Sequence, residues 1–428
     1  MGEEIDRVSK GKALAFWNTF LVVFDCLVVY CYEVFDYNYC FLVLLDAMVK
    51  MNYPMKLLWL RSLSLFSLGF FARKEAFMHE NYMAQAIAAA KQGFRQIYTN
   101  PLVGAVIVKN GRVIARGAHL QYGHEHAEKN AILHCEVPEE LANSTLYVTL
   151  EPCHHTGKQP PCTQAIVEAG IKKVVVGQLD PNPLVAGKGL EFLKSQGIEV
   201  VTQVLENEAR ALNPHYNFYH EYKRPYVVLK QAVSLDGKIA VLGKRTALTN
   251  DETNRFVHDE RDDYQAILVG ADTVLIDNPQ LLGAGTSLYP PVRVILDETG
   301  RIFDKRELQI FKNQSAPVYI FSRRQVANLP AHITVIALSN FSIANILQAL
   351  YEKKIQSVYV EGGAQVHDAF LASDLWDELI SYVTPKVIGG NGRAAMASSR
   401  QVEQVYDLQD FSVQTIGTNL RLSVKRRL

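Results

Sequence analysis

His126, Glu128, Cys153 and Cys162 are the residues whose chemistry is easiest to read. They stand in the strings His126-Ala127-Glu128, Pro152-Cys153 and Pro161-Cys162, with eight residues between the two cysteines. One imidazole and two thiolates form a borderline-soft donor set that suits Zn²⁺. Three protein ligands leave one coordination position for water, which a catalytic zinc needs and a structural zinc lacks. Glu128 lies two residues beyond His126, near the start of the same predicted helix. From there its carboxylate can face the open position without being a ligand. Cys162 at a helix start would have its thiolate favoured by the helix dipole. The whole set predicts water activation with a carboxylate to carry the proton, which is the chemistry of nucleobase deamination. A structural zinc would need a fourth ligand, and His154 or His155 is the nearby candidate.

Elements that could hold these groups follow from the hydrophobic pattern. Helix-like and strand-like stretches alternate from Met78 onward, which signals a layered α/β fold. Met83–Gly93 reads as a helix, and Val103–Val108 and Val113–Gly117 as strands joined by an Asn110-Gly111 turn. Ala127–Cys135 is predicted helical, Thr145–Leu150 a strand, Cys162–Ala169 a helix ended by Gly170, and Lys173–Val176 a strand. Gly189–Ser195 and Ile198–Val201 continue the alternation. A boundary is expected near Tyr222–Arg224, after the aromatic stretch NPHYNFYHEYKRP. Beyond it come strands at Tyr226–Gln231, Ala266–Val269, Val292–Leu296, Val318–Phe321, Ser357–Glu361 and Leu379–Val383.

Length and composition agree. The 428 residues exceed one ordinary domain, and 48% hydrophobic with 21% charged residues is globular. Lys plus Arg and Asp plus Glu both total 44, so no basic excess announces nucleic acid. Nucleic-acid editing deaminases also carry Pro-Cys-x-x-Cys, with two intervening residues in place of eight. The six cysteines lack the regular spacing of a secreted disulfide framework, so a cytoplasmic protein is expected.

Residues 1–77 differ in texture. Ala13–Tyr30, Phe41–Val49 and Met55–Phe71 are apolar, yet each falls short of the roughly 20 uncharged residues of a bilayer span. Asp25, Asp46 and Arg61 interrupt them. The segment reads as an extension outside the enzyme, with Met78 as the functional start. The competing reading is a membrane-associating or partner-binding arm.

Four strings in the first part resemble one family: TNPLVGAVIV (Thr99–Val108), GAHLQYGHEHAE (Gly117–Glu128), LEPCHHTGKQPPC (Leu150–Cys162) and DPNPLVAGKG (Asp180–Gly189). They resemble the deaminase half of the bifunctional deaminase/reductases of riboflavin biosynthesis. LKQAVSLDGKIA (Leu229–Ala240), GADTVLIDNPQL (Gly270–Leu281), VRVILD (Val292–Asp297) and SVYVEGGAQVHDAF (Ser357–Phe370) resemble the reductase half. The resemblance does not touch residues 1–77, which read as an apolar extension of uncertain structure; it implies a cytidine-deaminase-like α/β/α sandwich over 78–222 and a dihydrofolate-reductase-like α/β domain over 223–428. It implies one Zn²⁺ on His126, Cys153 and Cys162, with Glu128 as acid/base. Asn100, His119, His155, Lys158, Asp180 and Asn182 would contact a small phosphorylated pyrimidine. NADPH would meet Ala232, Thr273, Asp277, Gly363, Ala364, Gln365 and Val366. Lys230, Arg261, Leu281 and Glu361 would border the reductase substrate. No GxGxxG follows a strand here, so the Gly362-Gly363 pair before a predicted helix is the expected pyrophosphate cradle.

The reductase half departs from the family at two places. Ala247 replaces a usual Trp, and Ala284 stands where a basic residue normally meets the substrate phosphate. Arg245 or Lys244 is expected to supply the missing cation. The alternative is an active deaminase with a weak or degenerate reductase half. The family resemblance also implies a homo-oligomer with no membrane or nucleic-acid partner for residues 78–428.

Overall fold

Two β-sheets carry the chain's chemistry, and the computed structural model describes residues 74–155, 160–242, 246–396, 398–399 and 405–426. The apolar runs of the first 73 residues therefore lie outside the described part, as do Lys158, Lys244 and Arg245. From His79 onward the chain is one compact unit.

Helix α1 spans residues 74–90. It leads into the hairpin of β1 (Gly104–Lys109) and β2 (Arg112–Ala118). Asn110 and Gly111 both take positive φ, 51° and 76°, which is the two-residue turn whose twist matches a hairpin. Then follow α2 (Ala127–Leu133), β3 (Thr145–Leu150), α3 (Cys162–Glu168), β4 (Lys173–Gln178), α4 (Lys188–Ser195), β5 (Glu199–Val201), α5 (Glu206–Ala211) and α6 (Pro214–Tyr222). The five strands form one sheet in the order β2-β1-β3-β4-β5. Its central strands are apolar on both faces because both faces are covered. Ala105, Ile107, Leu146, Val148, Val174 and Val176 pack on one side with Ala127, Ala131 and Ile166. Val106, Val108, Tyr147 and Val175 pack on the other with Met83 and Ala86 of α1.

The second sheet is built from β6 (Tyr226–Ser234), β7 (Lys238–Val241), α7 (Asp251–Arg261), β8 (Ala266–Gly270), α8 (Ala271–Asp277), β9 (Val292–Leu296), α9 (Gln309–Lys312), β10 (Val318–Ser322), β11 (Ile333–Ala337), α10 (Ile343–Glu352), β12 (Ser357–Gly362), α11 (Ala364–Ser373), β13 (Glu378–Thr384), β14 (Gly392–Ala394), β15 (Leu408–Ile416) and β16 (Asn419–Arg426). Nine strands run β11-β10-β9-β8-β12-β6-β13-β16-β15, while β7 and β14 pair separately. From β11 to β13 neighbouring strands are parallel. The C-terminal ends of β8, β12 and β6 therefore share one sheet edge, where α/β proteins bind ligands.

Every strand expected from the sequence is present. Strands β7, β11, β14, β15 and β16 are additional. The stretch expected only as a domain boundary forms α6, with Pro214 at its start and Tyr216, Asn217, Phe218 and Tyr219 buried. Tertiary burial overrides the modest helix propensity of its aromatic residues. Among the described residues, no helix is long and apolar enough to cross a membrane.

Candidate metal centre and nucleotide edge

The turn before α2 and the turn before α3 bring the metal donors together. His126 precedes the first residue of α2 with extended backbone, φ −72° and ψ 163°, and Cys162 is the first residue of α3. His126 Nδ1 lies 3.6 Å from Cys153 Sγ and 3.3 Å from Cys162 Sγ. The three ligand atoms fall within 4.8 Å of one another. A tetrahedral zinc with bonds of ~2.3 Å to sulfur and ~2.0 Å to nitrogen holds such atoms about 3.5 Å apart, so the donor set fits the ion. The backbone N–H of Cys162 donates toward Cys153 Sγ at 3.5 Å. The Cys153 thiol is pulled down, first by the Cys162 side chain and further by His126. Among the described residues the group contains three ligands. His154 instead bonds Thr163 Oγ1 at 2.9 Å and stacks on Phe192. His155 is exposed on the wall of the adjoining cavity.

Glu128 is 3% exposed. Burial, reinforced by the Cys153 thiolate, pushes its carboxyl up to about 7 despite opposition from His126. A carboxyl that ionises near neutrality is matched to accepting and returning a proton.

Glu128, His126 and Cys153 line a cavity of about 640 Å³ that also includes Asn100, His119, Asp180 and Asn182. His119 Nδ1 faces the Glu125 carbonyl oxygen at 2.9 Å, and its Nε2 faces Asn100 Nδ2 at 3.0 Å. The carbonyl requires an N–H at Nδ1, so Nε2 accepts from the Asn100 amide. This leaves Asn100 Oδ1 as an acceptor. Burial pushes His119 down, which agrees with a neutral ring. Asp180 Oδ1 accepts from Asn182 N–H at 2.8 Å and Tyr216 O–H at 2.9 Å. Burial raises the Asp180 carboxyl to about 6.

Three supports were not singled out from the sequence. Buried Glu151 accepts the N–H groups of Asp180, Gly187 and Gly189 at 3.4, 3.0 and 3.2 Å. Its carboxylate thereby locks the Asp180–Gly189 loop to the Pro152-Cys153 strand end. An acidic residue at the end of the apolar TLYVTL strand was the available signal. Asn213 clamps both backbone groups of Leu102, and Tyr216 reaches Asp180, so α6 braces the site from outside both motifs. Gly189 completes the lock, because an added Cβ would meet the Pro152 carbonyl oxygen at 2.0 Å. Gly189→Ala is expected to displace the strand end that carries Cys153. Zinc affinity should fall about 10-fold, the size seen when supporting groups of a metal site are lost. Competition with a chromogenic chelator measures it.

At the second sheet's edge, Glu361 and Arg261 form a two-pronged ion pair of 2.6 and 2.7 Å. The Arg261 side chain also donates to the Leu282 carbonyl at 2.8 Å. Burial opposes ionisation of Glu361, but Arg261 and Lys230 prevail and hold it down at about 2. Burial lowers Lys230, whose ammonium lies 5.6 Å from the centre of the Tyr382 ring. Gly363 precedes α11, and its N–H faces Thr273 Oγ1 of α8 at 3.5 Å. A Cβ at Gly363 would meet only that oxygen, at 3.8 Å, so space remains above the helix start. No acidic residue occupies the first turn of α11. Such an edge fits a pyrophosphate.

The other expected cofactor and substrate positions are more dispersed. Ala232 lies near the end of β6 and Gln365 is exposed on α11. Asp277 is the last residue of α8, one turn beyond Thr273. Leu281 is 3% exposed and packs in the core with Val269 and Val274. Ala284 is exposed, and the Ala247 carbonyl accepts from Lys386 Nζ at 2.9 Å. Asp236 accepts from Ser234, Ile388 and Gly389, tying its turn to the following loop.

Comparison with known proteins extends this geometry to the whole chain. The cytidine and deoxycytidylate deaminase zinc-binding region matches residues 77–178, and the RibD C-terminal domain matches residues 225–422. The second match leaves the alternative of a degenerate reductase half without support. The riboflavin biosynthesis protein RibD of Actinobacillus pleuropneumoniae is 40% identical over 354 residues, 80% of this chain and 94% of the relative. The Escherichia coli (strain K12) protein of the same name is 32% identical over 355 residues, 79% of this chain and 95% of the relative. Among solved structures, a Thermotoga maritima diaminohydroxyphosphoribosylaminopyrimidine deaminase/5-amino-6-(5-phosphoribosylamino)uracil reductase is 40% identical with a TM-score of 0.75. It covers 82% of this chain and 100% of its own. Acinetobacter baumannii RibD is 35% identical with a TM-score of 0.76, covering 82% and 100%. With both halves matched and the relatives covered almost end to end, the chain belongs to the RibD family of riboflavin biosynthesis proteins.

Proposed function

We propose residue roles for the two reactions of this riboflavin biosynthesis enzyme, a deaminase over residues 78–222 and a reductase over 223–428. The first reaction is hydrolytic deamination of the diamino-hydroxy-phosphoribosylaminopyrimidine. The second is NADPH-dependent reduction of its ribosyl side chain to ribityl. The observation that carries the deaminase reading is the three-ligand donor group with buried Glu128 beside it in a substrate-sized cavity.

His126, Cys153 and Cys162 would hold a zinc ion, whose chemistry when bound would be to activate a water. Glu128, buried in the cavity wall, would take a proton from the attacking water and pass it to the departing amino nitrogen. Asn100 Oδ1, aimed by His119, accepts from a ring amino group. Asp180 and Asn182 hold the ring in the plane that this transfer requires, and His155 and Lys158 complete the polar wall. Proximity and orientation of this kind account for a large part of a rate acceleration.

NADPH, when bound at the second half, would supply the hydride. Ala364 and Gln365 offer backbone N–H groups to its pyrophosphate between Gly363 and Val366, with Thr273, Asp277 and Ala232 along its length. Arg261, fixed by Glu361, and Lys230 border the phosphorylated substrate beside the backbone of Leu281, whose side chain lies in the core, and Arg245 supplies a further cation to its phosphate. The substrate is a small molecule. Balanced charge argues against nucleic acid, and a cytoplasmic homo-oligomer remains the expectation from the family.

A coupled assay tests the order of reactions. With zinc and NADPH present, one ammonia should be released per substrate before one NADPH is consumed. NADPH oxidation that precedes or proceeds without ammonia release would contradict the assignment.

A further inference from the structure

The reductase half is gripped by a side chain of the deaminase half. Arg95 lies just beyond α1, and its side chain is only 12% exposed. Its guanidinium donates to Asp259 Oδ1 at 2.8 Å and to the Asp259 carbonyl at 2.9 Å. It also donates to Asp263 Oδ1 at 2.8 Å and to Thr286 Oγ1 at 2.6 Å. Asp259 stands in the last turn of α7 and Asp263 just past it, one turn apart on one face. Charge-assisted bonds of this kind, largely out of water, are the strong ones.

Parts of the reductase site hang on what Arg95 holds. Helix α7 ends at Arg261, which turns instead to Glu361 and to the Leu282 carbonyl. The segment 282–289 then returns along the end of α7 without regular structure of its own. Ala284 N–H donates to the His258 carbonyl at 2.9 Å, and the N–H and O–H of Thr286 both donate to Asp262 Oδ2 at 2.9 Å. Ser287 O–H and Leu288 N–H donate to the Arg95 carbonyl at 3.1 and 3.2 Å. Gly283 permits this packing, because an added Cβ would collide with Asp262 Oδ1. Arg95 therefore closes a chain of contacts whose other end is the guanidinium bordering the reductase substrate.

We propose that Arg95 is a positioning residue of the reductase, fixing the end of α7 and the 282–289 segment and thereby the aim of Arg261. The inference rests on the reductase reading above and makes the deaminase half a working part of that site. The cofactor side is expected to be spared. Gly363 and Thr273 lie at the start of α11 and in α8, whereas the side-chain bonds of Arg95 among the described residues go to Asp259, Asp263 and Thr286. Loss of Arg95 should weaken the grip on the pyrimidine and leave the grip on NADPH. A chain merely less stable would lose active molecules, which lowers kcat for every substrate and moves neither KM.

The test uses the full chain with NADPH and the deaminated product supplied directly. Arg95→Gln should raise KM for that product about 10-fold, since a small misplacement of a binding group costs up to about 100-fold. KM for NADPH should stay within about twofold of wild type. Thr286→Val removes one partner of Arg95 from the reductase side while keeping the side-chain volume, and should raise the same KM about threefold. The double variant should match Arg95→Gln alone and not the product of the two effects, because both changes open one clamp. An unchanged KM for the deaminated product in both single variants would overturn the assignment, as would a KM for NADPH that rises in step. Either result would leave the reductase reading standing. A wild-type chain that oxidises no NADPH with the deaminated product would remove that reading, and the proposal with it.

Discussion

Glu128→Gln is expected to lower the rate of ammonia release by about 10³- to 10⁴-fold, while bound zinc, and NADPH oxidation with the deaminated product supplied directly, stay close to wild type. General acid–base groups contribute roughly 10²- to 10⁴-fold, and the upper end applies because Glu128 serves both halves of one proton relay. Its side chain is buried, so no bulk water stands ready to replace it. Glutamine keeps the volume and the hydrogen-bonding reach but cannot carry a proton. Zinc content by metal analysis and ammonia release by a coupled dehydrogenase separate the two effects. Loss of zinc in step with activity would make Glu128 a support of the metal group and not the proton carrier.

The second large effect lies in the other half. Glu361→Gln is expected to destabilise the protein by about 3 kcal/mol at pH 7. Arg261 would keep a partner for one prong only, and Lys230 would lose its compensating charge. The magnitude follows from holding the carboxyl at about 2 against an ordinary 4.5, at 1.36 kcal/mol per pH unit. A depressed carboxyl stabilises the fold above its unfolded value and loses that contribution as pH falls. The wild-type advantage should therefore be complete above about pH 5 and fade between about pH 4.5 and 2. Urea unfolding of both proteins at pH 7 and pH 3 measures it. The two stability curves should converge on the acid side, and a difference that does not shrink would show that the pair is not the source. Reductase kcat/KM should fall at least about 100-fold, since breaking a buried pair also frees the guanidinium that borders the substrate.

Legibility in the sequence followed the distance over which each feature acts. The donor set was readable because catalytic zinc uses few residue types, and the ligands sit at the ends of short, recognisable elements. Buried strands such as Val103–Val108 were readable because two covered faces demand continuous apolar side chains. Glu151 was harder, since its three partners lie 29 to 38 residues away and an acidic residue at the end of an apolar strand does not say which backbone N–H groups it serves. Helix α6 was read only as a boundary because its aromatic residues are buried by tertiary contacts and not by a strong helical period. The Arg261–Glu361 pairing spans 100 residues. Glu260, which receives Tyr359, Tyr382 and Arg421, likewise joins three distant strands. Leu281 shows the converse case: a motif fixes its place in the chain, but packing puts its side chain in the core.

Stepwise removal and return of zinc on the full chain addresses the central claim, that three protein ligands hold a metal with one position left for water. Ammonia release should fall in proportion to zinc, from one ion per chain to none, and recover on adding zinc back, while NADPH oxidation with the deaminated product supplied directly stays steady throughout. Deamination that persists after all zinc is gone, or a fully loaded chain that binds zinc through a fourth protein group and releases no ammonia, would contradict it.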